Sequence, residues 1–531
     1  MKQDIFTGTG GNNLWTTAAN WSANAVPGAN DDAYIGKQGV NAQAQLETAV
    51  TVNSIGTNRG SSLLITNNGS LKATNGTDLS HNDTAAAGSG NNGTIRVEMA
   101  SLQIQGSFKN AGTIEVGSQA QANIDTIDGS LRLFGGGEIR LGVPGTARGD
   151  IIADNVPLVN DDNRITGGLG SIFSKTFDNQ EKGVIDVVKS AEPAFTISAT
   201  DGFKNEGKIK VETDAKLHLG NFETQSLVNS GTITLSGERS QLEINGNYTV
   251  SGHGSINMSG AGSSIVSGDL SPSAFTNKSD IVATATGRIG DSHLTFDNSG
   301  LVDAKGTGTF LTLNTGTNVI DDAGGTLKAE KGGVLLIQSD VTTGSAHGSG
   351  GSIEADKGSS VVIGASVKSG VSSNGSSGKI VIDGGAVVFG AGSSADVPVT
   401  FTNNGGTLFL ENSTNVNVSG SKGEIDLGNQ AKVSVNGDHD TFKCGVDNTI
   451  SAKGNHESFA FGPATGASTV SGWNSTDSMQ LARSDFANWG SLLQHTQQVG
   501  ADTVISTGAN ESITLKGVAV SSLNQSQFHF A

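Results

Sequence analysis

The sequence predicts an all-β protein: a single-stranded right-handed parallel β-helix (β-solenoid) with an N-terminal aromatic cap and a small C-terminal helix-plus-strands module. Three observations predict this class. A phrase recurs in which an apolar residue is followed by Asn, Gly and an alternating strand, at 108–116 and 203–211, with looser copies at 227–233, 296–302 and 401–408. Glycine is abundant, with 76 residues, whereas proline is rare, with 7. The apolar residues are patterned and often β-branched, which is typical of strands rather than disorder.

Each copy of the repeated phrase is interpreted as a tight turn followed by a short strand. Asn and Gly tolerate left-handed backbone conformations, and the residues after them alternate apolar and polar, which is the period of a strand. Units of this kind in series predict coils that stack on their neighbours. Coils of roughly 20–25 residues place about 18–20 of them in the solenoid domain, residues 37–470. Further strands are expected at 63–65, 93–97, 130–134, 378–382, 386–389, 423–427 and 431–435.

Residues 1–36 differ from the repeats and are predicted to cap the solenoid. They contain Trp15 and Trp21, and the chain then runs through Val-Pro-Gly-Ala-Asn-Asp-Asp-Ala-Tyr-Ile at 26–35. Without a cap, the first coil would expose its core and a strand edge. This segment resembles the N-terminal segments of many bacterial secreted β-helix proteins and autotransporter-like adhesins. The alternative interpretation of the two tryptophans is carbohydrate binding.

The middle of the solenoid domain, residues 145–200, is less regular. Val156-Pro157 and the run Asp161-Asp162-Asn163-Arg164 interrupt the alternation. A longer loop or lateral excursion is expected there, and such loops on solenoids commonly carry specificity.

The sequence pattern of residues 471–531 differs from that of the repeats. Ser484 is expected to N-cap a helix, followed by strands at 502–506 and 512–518; the apolar side of that helix would contain Phe486, Trp489, Leu492, Leu493 and Val499. Several pieces of this segment belong together: Trp489 with Leu492-Leu493, the runs 498–505 and 513–518, Leu523 and the aromatic-rich last four residues. Together they resemble the C-terminal module of repeats-in-toxin and related type I secreted proteins. The resemblance implies an uncleaved C-terminal export signal. The tandem Gly-Gly-x-Gly-x-Asp calcium nonapeptides of that family are not found in this sequence.

Composition argues against several classes of partner. The formal net charge of −18, from 32 basic and 50 acidic residues, disfavours nucleic acids and anionic membranes. The sequence contains no run of 18 apolar residues, so no membrane-spanning segment is predicted. The single cysteine, Cys444, is interpreted as a small core residue, because nothing identifies a base that would activate it. Because the N-terminus has no apolar signal core, the chain is expected to be cytoplasmic, already processed, or exported by a route that needs no N-terminal signal. The resemblance of residues 471–531 implies the last of these, and with it an extracellular or bacterial cell-surface location.

The sequence predicts no catalytic residue. The adjacent pairs Asp31-Asp32, Asp161-Asp162 and Asp321-Asp322 lie in turn-like contexts, and neighbours in a strand point to opposite faces, so they are interpreted as turn residues. A catalytic pair of carboxylates from adjacent coils is an open alternative, because the sequence does not reveal which residues of adjacent coils are neighbours. The nine histidines, among them Gly-His-Gly at 252–254, show no metal-ligand spacing.

The densest polar cluster is Asn-Gly-Asp-His-Asp at 436–440. Asp438 and Asp440 are the weak candidates for metal ligands, with calcium as the expected ion, and His439 is a candidate base. The alternative is a hairpin-like Asn-Gly turn with a solvated tip.

The predicted function is therefore non-catalytic: a secreted structural protein that assembles with itself into filaments, a surface layer or a matrix, or acts as an adhesin. The expected partners are further copies of the chain and cell-surface or matrix polysaccharide. The alternative is an extracellular polysaccharide lyase or glycoside hydrolase. A groove with clustered carboxylates and a basic residue across two or three coils would favour that alternative.

Overall fold

The predicted fold class is confirmed by the computed structural model, which is 55% strand and 3% helix and forms a parallel β-solenoid of about 17 turns. The structure describes residues 2–75, 90–117, 122–126, 129–143, 147–190, 194–221, 223–268, 272–344, 350–369 and 377–531. The chain divides into two compact units, Met1–Ser279 and Asp280–Ala531. The predicted boundaries at 36 and 470 stay a prediction.

The first unit contains short strands that are mostly four or five residues long. They are β1 Lys2–Phe6, β2 Asp31–Ile35, β3 Gln43–Leu46, β4 Ala49–Val52, β5 Ser54–Thr57, β6 Ser62–Ile65, β7 Ser70–Ala73, β8 Thr94–Val97, β9 Ser101–Ile104, β10 Gly106–Lys109, β11 Thr113–Val116, β12 Ala122–Asp125, β13 Leu131–Phe134, β14 Glu138–Leu141, β15 Gly149–Asn160, β16 Arg164–Gly167, β17 Gly170–Asn179, β18 Val184–Val187, β19 Phe195–Ala199, β20 Phe203–Asn205, β21 Lys208–Val211, β22 Lys216–Leu219, β23 Thr224–Asn229, β24 Thr232–Leu235, β25 Gln241–Ile244, β26 Asn247–Met258 and β27 Ser263–Ser267. The division between the units falls within β28, Ser273–Ala283.

The second unit continues with the same kind of strand and contains the α-helix of the described residues, α1 Trp489–Gln494. Its strands are β29 Gly287–Ile289, β30 Leu294–Asn298, β31 Leu301–Lys305, β32 Phe310–Leu313, β33 Ile320–Asp321, β34 Thr326–Glu330, β35 Val334–Ile337, β36 Val341–Thr342, β37 Ser352–Asp356, β38 Ser360–Ile363, β39 Val367–Lys368, β40 Lys379–Asp383, β41 Ala386–Phe389, β42 Val399–Phe401, β43 Gly406–Leu410, β44 Asn415–Ser419, β45 Gly423–Leu427, β46 Lys432–Asn436, β47 Thr441–Cys444, β48 Thr449–Ala452, β49 Ser458–Phe461, β50 Ala467–Ser471, β51 Ser478–Leu481, β52 Thr496–Val499, β53 Asp502–Gly508, β54 Glu511–Lys516 and β55 Phe528–Phe530. Short 3-10 turns cover Ala18–Asn20, Val520–Ser522 and Gln525–Gln527.

Strands of successive coils pair in parallel and in register, so like residues stack inside the solenoid. Alternation of apolar and polar residues turns one side of each strand inward, and strand β21, for example, buries Ile209 and Val211 while exposing Lys208 and Lys210. The clearest interior row is made of isoleucines, all buried, which lie directly over one another: Ile114, Ile139, Ile165, Ile185, Ile209, Ile233 and Ile256. Each coil thus extends the core of the coil before it.

The repeated Phe-x-Asn-x-Gly phrase forms a corner of the coil, and its Asn has a different role from the predicted one. Asn205 is fully buried and does not adopt a left-handed conformation. Its Nδ2 donates to Asn229 Oδ1 at 2.8 Å, and its Oδ1 accepts from Asn179 Nδ2 at 2.8 Å. Asn160 extends this asparagine ladder by donating to Asn179 at 2.9 Å. The Asn of the repeated phrase is therefore explained by its hydrogen bonds to the asparagines of neighbouring coils and not by a local turn conformation.

The Gly of the phrase is required by close packing between coils. A Cβ on Gly231 would lie 2.1 Å from the carbonyl oxygen of Gly207, and a Cβ on Gly207 would lie 2.2 Å from that of Gly183. Neither Gly207 nor Gly231 has positive φ, whereas Gly405 and Gly406 in the loosest copy do, at 64° and 137°. The left-handed interpretation therefore holds for that copy alone among these.

Large aromatic side chains pack inside the N-terminal segment. Trp15 and Trp21 are 0% and 1% exposed, with ring centroids 4.7 Å apart in an edge-to-face arrangement. Trp21 Nε1 donates to the Trp15 carbonyl at 2.7 Å, and Phe6 meets Trp21 edge-on at 5.2 Å. Because both indoles are buried, the carbohydrate-stacking alternative is wrong for this structure.

The predicted excursion at 145–200 is not found in the described residues of that segment. Strands β15 and β17 pair over nine residues, and the coil bends at a register shift between Ala153 and Pro157. Pro157 is accommodated at this bulge, where a ladder hydrogen bond is not needed. Residues 144–146 and 191–193 lie outside the described residues. The Gly-His-Gly at 252–254, predicted as a turn, lies within β26, where Gly252 has a φ of 105°.

Coils in the second unit change from three strands to two. Three-strand coils are long: the paired residues Thr326, Ser352 and Lys379 are 26 and 27 positions apart. Beyond β39 the third strand is lost, and Glu424, Thr441 and Ser458 follow one another at intervals of 17. Long three-strand coils explain why the chain makes about 17 turns rather than the 18–20 predicted.

The strands of the second unit form two long faces. Face A consists of β31, β34, β37, β40, β42, β44, β46, β48, β50 and β54, and face B of β29, β32, β35, β38, β41, β43, β45, β47, β49, β51 and β55. Helix α1 is N-capped by Asn488, whose side chain accepts from Ser491 N at 3.0 Å, so the prediction that Ser484 caps it was wrong. Phe486 and Leu492 are buried as predicted, but Leu493 and Val499 are 40% and 51% exposed.

Candidate binding surfaces

The structure places the two predicted metal ligands on opposite sides of one corner turn. Asp440 is fully buried, and its Oδ1 accepts from Gly423 N at 2.8 Å. Asp438 is exposed, and its Oδ1 accepts from Asn455 N at 2.8 Å. His439 between them has a φ of 64°, and its ring stacks on His456 of the next coil at 4.7 Å. The segment links β46 of face A to β47 of face B, and each strand pairs in parallel with its counterparts in the neighbouring coils, so the segment is a solenoid corner and not a hairpin.

Asp440 belongs to a row of buried carboxyl groups at this corner, which we call the carboxyl ladder: Asp440, Glu457 and Asp477. Each carboxyl accepts a backbone hydrogen bond from the preceding coil. Glu457 Oε2 accepts from Asp440 N at 3.1 Å, and Asp477 Oδ1 accepts from Glu457 N at 3.0 Å. Asp440 Oδ2 and Glu457 Oε1 are buried and have no hydrogen-bond partner among the described residues.

Burial changes the protonation of this ladder. Loss of hydration raises the pKa of Glu457 to about 8 and that of Asp440 to about 6, and it also raises the pKa of Asp477. The neighbouring carboxyl of Asp440 raises the pKa of Glu457 further. A protonated carboxyl group supplies an O–H donor, and Glu457 is the member of the ladder whose raised pKa keeps it protonated at neutral pH.

Asp438 and Asp440 do not converge on one ion position, and their role as metal ligands stays a prediction. Across the residues that the structure describes, no group of three or more His, Cys, Asp or Glu side chains is arranged to hold a metal ion. Cys444 is half-buried, and loss of hydration around its thiol raises the pKa of that thiol and makes it unreactive.

The turn interpretation of the adjacent Asp pairs fits Asp161-Asp162, whereas Asp31 and Asp32 lie within strand β2 and Asp321 ends β33. Asp32 accepts from Asn53 Nδ2 at 2.6 Å and from Ser54 Oγ at 2.7 Å. Asp162 accepts from the backbone of Gly135 and Gly136 at 2.7 and 2.9 Å. Asp322 is buried and accepts from Asn298 Nδ2 at 2.7 Å.

Face A ends in a flat polar surface that we call the polar face. Its outward side chains lie in two registered rows over five coils: Asn415, Lys432, Thr449, Thr469 and Thr514 in one, and Asn417, Ser434, Ser451, Ser471 and Lys516 in the other. Eight of these ten are small hydroxyl or amide side chains, two are lysines and none is acidic. In a chain of net charge −18, such a surface offers hydrogen-bond donors and acceptors without repelling an anionic ligand.

The first unit has a groove of about 550 Å³ that is lined by Ser70, Ser101, Asn123 and Asp150 among others. The Asp150 carboxylate accepts hydrogen bonds from Arg148 Nε at 2.8 Å and from Ser171 Oγ at 2.5 Å. Asp125 lies two residues along β12 from Asn123, and burial raises its pKa. Because Asn123 pairs with Asp150, Asp125 and Asp150 are diagonal neighbours on the adjacent parallel strands β12 and β15. Sequence reasoning missed this pair because it depends on coil register.

Among the residues of the described ranges, no helix is long and apolar enough to cross a membrane. No protein-family model matches the chain, and no curated protein matches it. Among solved structures it matches the extracellular lipase LipA from Serratia marcescens, with 15% sequence identity and a TM-score of 0.20. The match covers 49% of this chain and 45% of the lipase, so it spans about half of each. A similarity of this size carries no argument about activity.

Proposed function

We propose that this protein is a non-catalytic extracellular structural protein or adhesin that assembles with further copies of itself and holds polysaccharide on its polar face. The observation that carries the proposal is the registered, acid-free pair of rows on β44, β46, β48, β50 and β54. A repeating ligand suits a repeating surface, because each coil presents the same kind of group about 4.8 Å from the last.

The ligand class follows from the chemistry of these side chains. Ser, Thr and Asn both donate and accept hydrogen bonds, as sugar hydroxyl groups do. Lys432 is exposed on the same face and adds a positive charge, whereas Lys516 is paired with Asp502 at 2.8 Å. An acidic or neutral polysaccharide therefore fits the face better than a basic ligand. Export by the predicted C-terminal module, residues 471–531, belongs to the same proposal.

Binding is tested by affinity electrophoresis of the whole chain through gels containing acidic, neutral or no polysaccharide. The test variant is Thr449→Glu with Ser451→Glu, which introduces two negative charges on the polar face. We expect at least a tenfold loss of retardation, corresponding to about 1.4 kcal/mol. Thr441→Glu, outward on face B of the same coil, is the matched control and should lie within twofold of the parent. Equal retardation of all three proteins would refute the polar face as the binding surface.

Self-assembly is tested separately by electron microscopy of the purified chain, with calcium and with a chelator. Filaments or sheets that dissolve in chelator would support cation-linked assembly, with Asp438 on the exposed corner as the first residue to replace. Filaments indifferent to chelator would support direct protein contacts. Single particles in both conditions at high concentration would refute self-assembly.

The second candidate function is a polysaccharide hydrolase or lyase, and the groove of the first unit favours it. Asp125, with its raised pKa, suits a general acid, and Asp150, held beside Arg148, suits a general base. The test is release of reducing or unsaturated ends from a panel of polysaccharides. Activity lost in both Asp125→Asn and Asp150→Asn would favour the enzyme; no release by the parent chain would exclude it for that panel.

A further inference from the structure

Face B of the second unit carries a groove at the place where its coils become shorter. The registered residues Ser360, Ala386, Thr407 and Glu424 follow one another at intervals of 26, 21 and 17 positions. A groove of about 560 Å³ lies along β41, β43 and β45, where the interval falls to its smallest value. We call it the step groove, and its lining includes Val388, Phe409, Glu411, Asn412, Asp426 and Gly428.

One part of the step groove is apolar. Phe409 points outward from β43 and is 37% exposed, and Val388 pairs with it in register on β41. At Gly428 a Cβ would lie 2.9 Å from both the backbone N and the Oδ1 of Asn412, so a side chain does not fit there. The glycine keeps the groove open beside an exposed aromatic residue. An apolar surface of this kind, with a few polar groups around it, is typical of small-ligand sites.

Two polar side chains at the corner of the step groove are each held by one atom. Glu411 Oε2 accepts from Ala391 N at 3.0 Å, and Asn412 Oδ1 accepts from Asn429 N at 2.7 Å. The other polar atoms, Glu411 Oε1 and Asn412 Nδ2, have no hydrogen-bond partner among the described residues. The corner therefore presents one acceptor and one donor on side chains that are already oriented, which lowers the entropy lost when a ligand binds.

The charge around the step groove is negative. Asp426 Oδ1 lies 3.6 Å from Lys443 Nζ, and the same ammonium forms an ion pair with Glu424. Together with Glu411, three carboxylates share one ammonium, so two negative charges remain. Asp426 Oδ2 has no hydrogen-bond partner among the described residues and is a second acceptor. Since the described lining residues include no basic side chain, an acidic ligand is repelled here.

We propose that the step groove binds one pyranose ring of a neutral polysaccharide, with an apolar C–H face of the ring packed on Phe409. Hydroxyl groups of the ring donate to Glu411 Oε1 and Asp426 Oδ2 and accept from Asn412 Nδ2. An acidic sugar would meet the carboxylates, and a simple organic cation would leave the amide donor unused.

The step groove narrows the ligand of the polar face. The polar face suits acidic and neutral polysaccharide, so a neutral chain is the class that suits both surfaces. The corner at residues 411–414 leads from the groove to Asn415, the first residue of β44 and of the polar face. One polymer that meets both surfaces is held more tightly than by either alone. The inference rests on the proposed polysaccharide binding and names the class of polysaccharide.

The groove is tested by calorimetric titration of the whole chain with cellohexaose and maltohexaose, two neutral hexasaccharides. Phe409→Ala should lower the affinity for the tighter of the two at least about fivefold, because it removes the apolar surface under the ring. Phe310→Ala is the matched control, since Phe310 points outward from β32, is 52% exposed and lies outside the groove lining. It should lie within about twofold of the parent. Absence of binding by both neutral probes overturns the proposal, and so does an equal effect of the two substitutions.

The charge of the groove is tested by Glu411→Gln with Asp426→Asn, which keeps the shape of both side chains. This variant should bind the neutral probe at least about threefold more weakly. It should also gain binding of a galacturonate hexamer, an acidic probe, that Phe409→Ala abolishes. If the parent chain binds a glucosamine hexamer through Phe409 but binds no neutral hexamer, the groove is a cation site and the proposal is overturned.

The polar-face variant Thr449→Glu with Ser451→Glu separates this inference from the proposed function. The readout is retardation in gels containing a neutral polysaccharide. Retardation lost in that variant but unchanged in Phe409→Ala would refute the step groove alone. Retardation lost in Phe409→Ala but unchanged in the polar-face variant would support the groove and refute the polar face.

Discussion

Replacing Asn205 by Ala should destabilise the coils around it far more than a surface Asn does. Asn205 is fully buried between two neighbours of the asparagine ladder. The substitution leaves Asn179 Nδ2 without its acceptor and Asn229 Oδ1 without its donor, two bonds of 2.8 Å. A buried polar group left unpaired costs about 1–3 kcal/mol, so the expected loss is about 2–6 kcal/mol.

Hydrogen exchange followed by mass spectrometry is the suitable assay, because a solenoid opens locally and its global midpoint averages over many coils. Peptides covering β20, β21 and β23 should exchange at least about 30-fold faster in Asn205→Ala, which corresponds to the lower bound of about 2 kcal/mol. Peptides from the second unit should be unchanged. This localisation distinguishes loss of the ladder from general damage.

Asn257→Ala is the matched control. Asn257 points outward from β26, and its Nδ2 donates to Ser255 Oγ at 3.0 Å at a half-buried position. Its replacement should cost no more than about 0.5 kcal/mol. If Asn205→Ala and Asn257→Ala change protection equally, the ladder does not stabilise the coils and the interpretation of the repeated phrase fails.

Three further outcomes are expected. Gly231→Ala should destabilise its coil, because the new Cβ would lie 2.1 Å from the Gly207 carbonyl oxygen; full protection in exchange experiments would contradict this. Trp15→Ala should cost about 3–5 kcal/mol and make the N-terminal segment sensitive to protease, since Trp15 is fully buried against Trp21. Burial raises the pKa of Glu457 from 4.5 to about 8, so the folded chain keeps a proton that the unfolded chain releases; this contribution is complete below pH 4.5 and is lost as the pH rises to about 8. Thermal melts should show a melting temperature that falls over this window, and Glu457→Gln should make the melting temperature less dependent on pH.

The fold was predictable because its signals are local. Strands such as β40, β41 and β45 follow alternating runs that are visible in a few residues, and the aromatic segment around Trp15 and Trp21 stands out by composition. The repeated phrase was found for the right reason at its Phe, which is buried in Phe108, Phe203 and Phe296. Its Asn and Gly were found for the wrong reason, because their partners lie one coil away.

Register explains what sequence reasoning missed. Asp440, Glu457 and Asp477 form one ladder only because coils of 17 and 20 residues place them at the same corner. Asp125 and Asp150 become neighbours only through the pairing of β12 with β15. No spacing rule along the chain identifies either group, since the coil length varies along the chain. The helix start was missed for a smaller reason: both Ser484 and Asn488 are good capping residues, and packing of Phe486 decides between them.

The side chains inside the solenoid and those on its outer faces have different roles. The isoleucine row, the asparagine ladder and the close glycine contacts hold successive coils together from inside, where each depends on its counterpart in the next coil. Outward residues also pair across coils, as Lys328 does with Asp356 at 2.8 Å, but these contacts are partly exposed to water and each contributes little to stability. The ten registered outward positions of the polar face hold eight small hydroxyl or amide side chains and two lysines, and none is acidic in a chain of net charge −18. Because no interior ladder includes these outward positions, we propose that their composition reflects what the polar face binds.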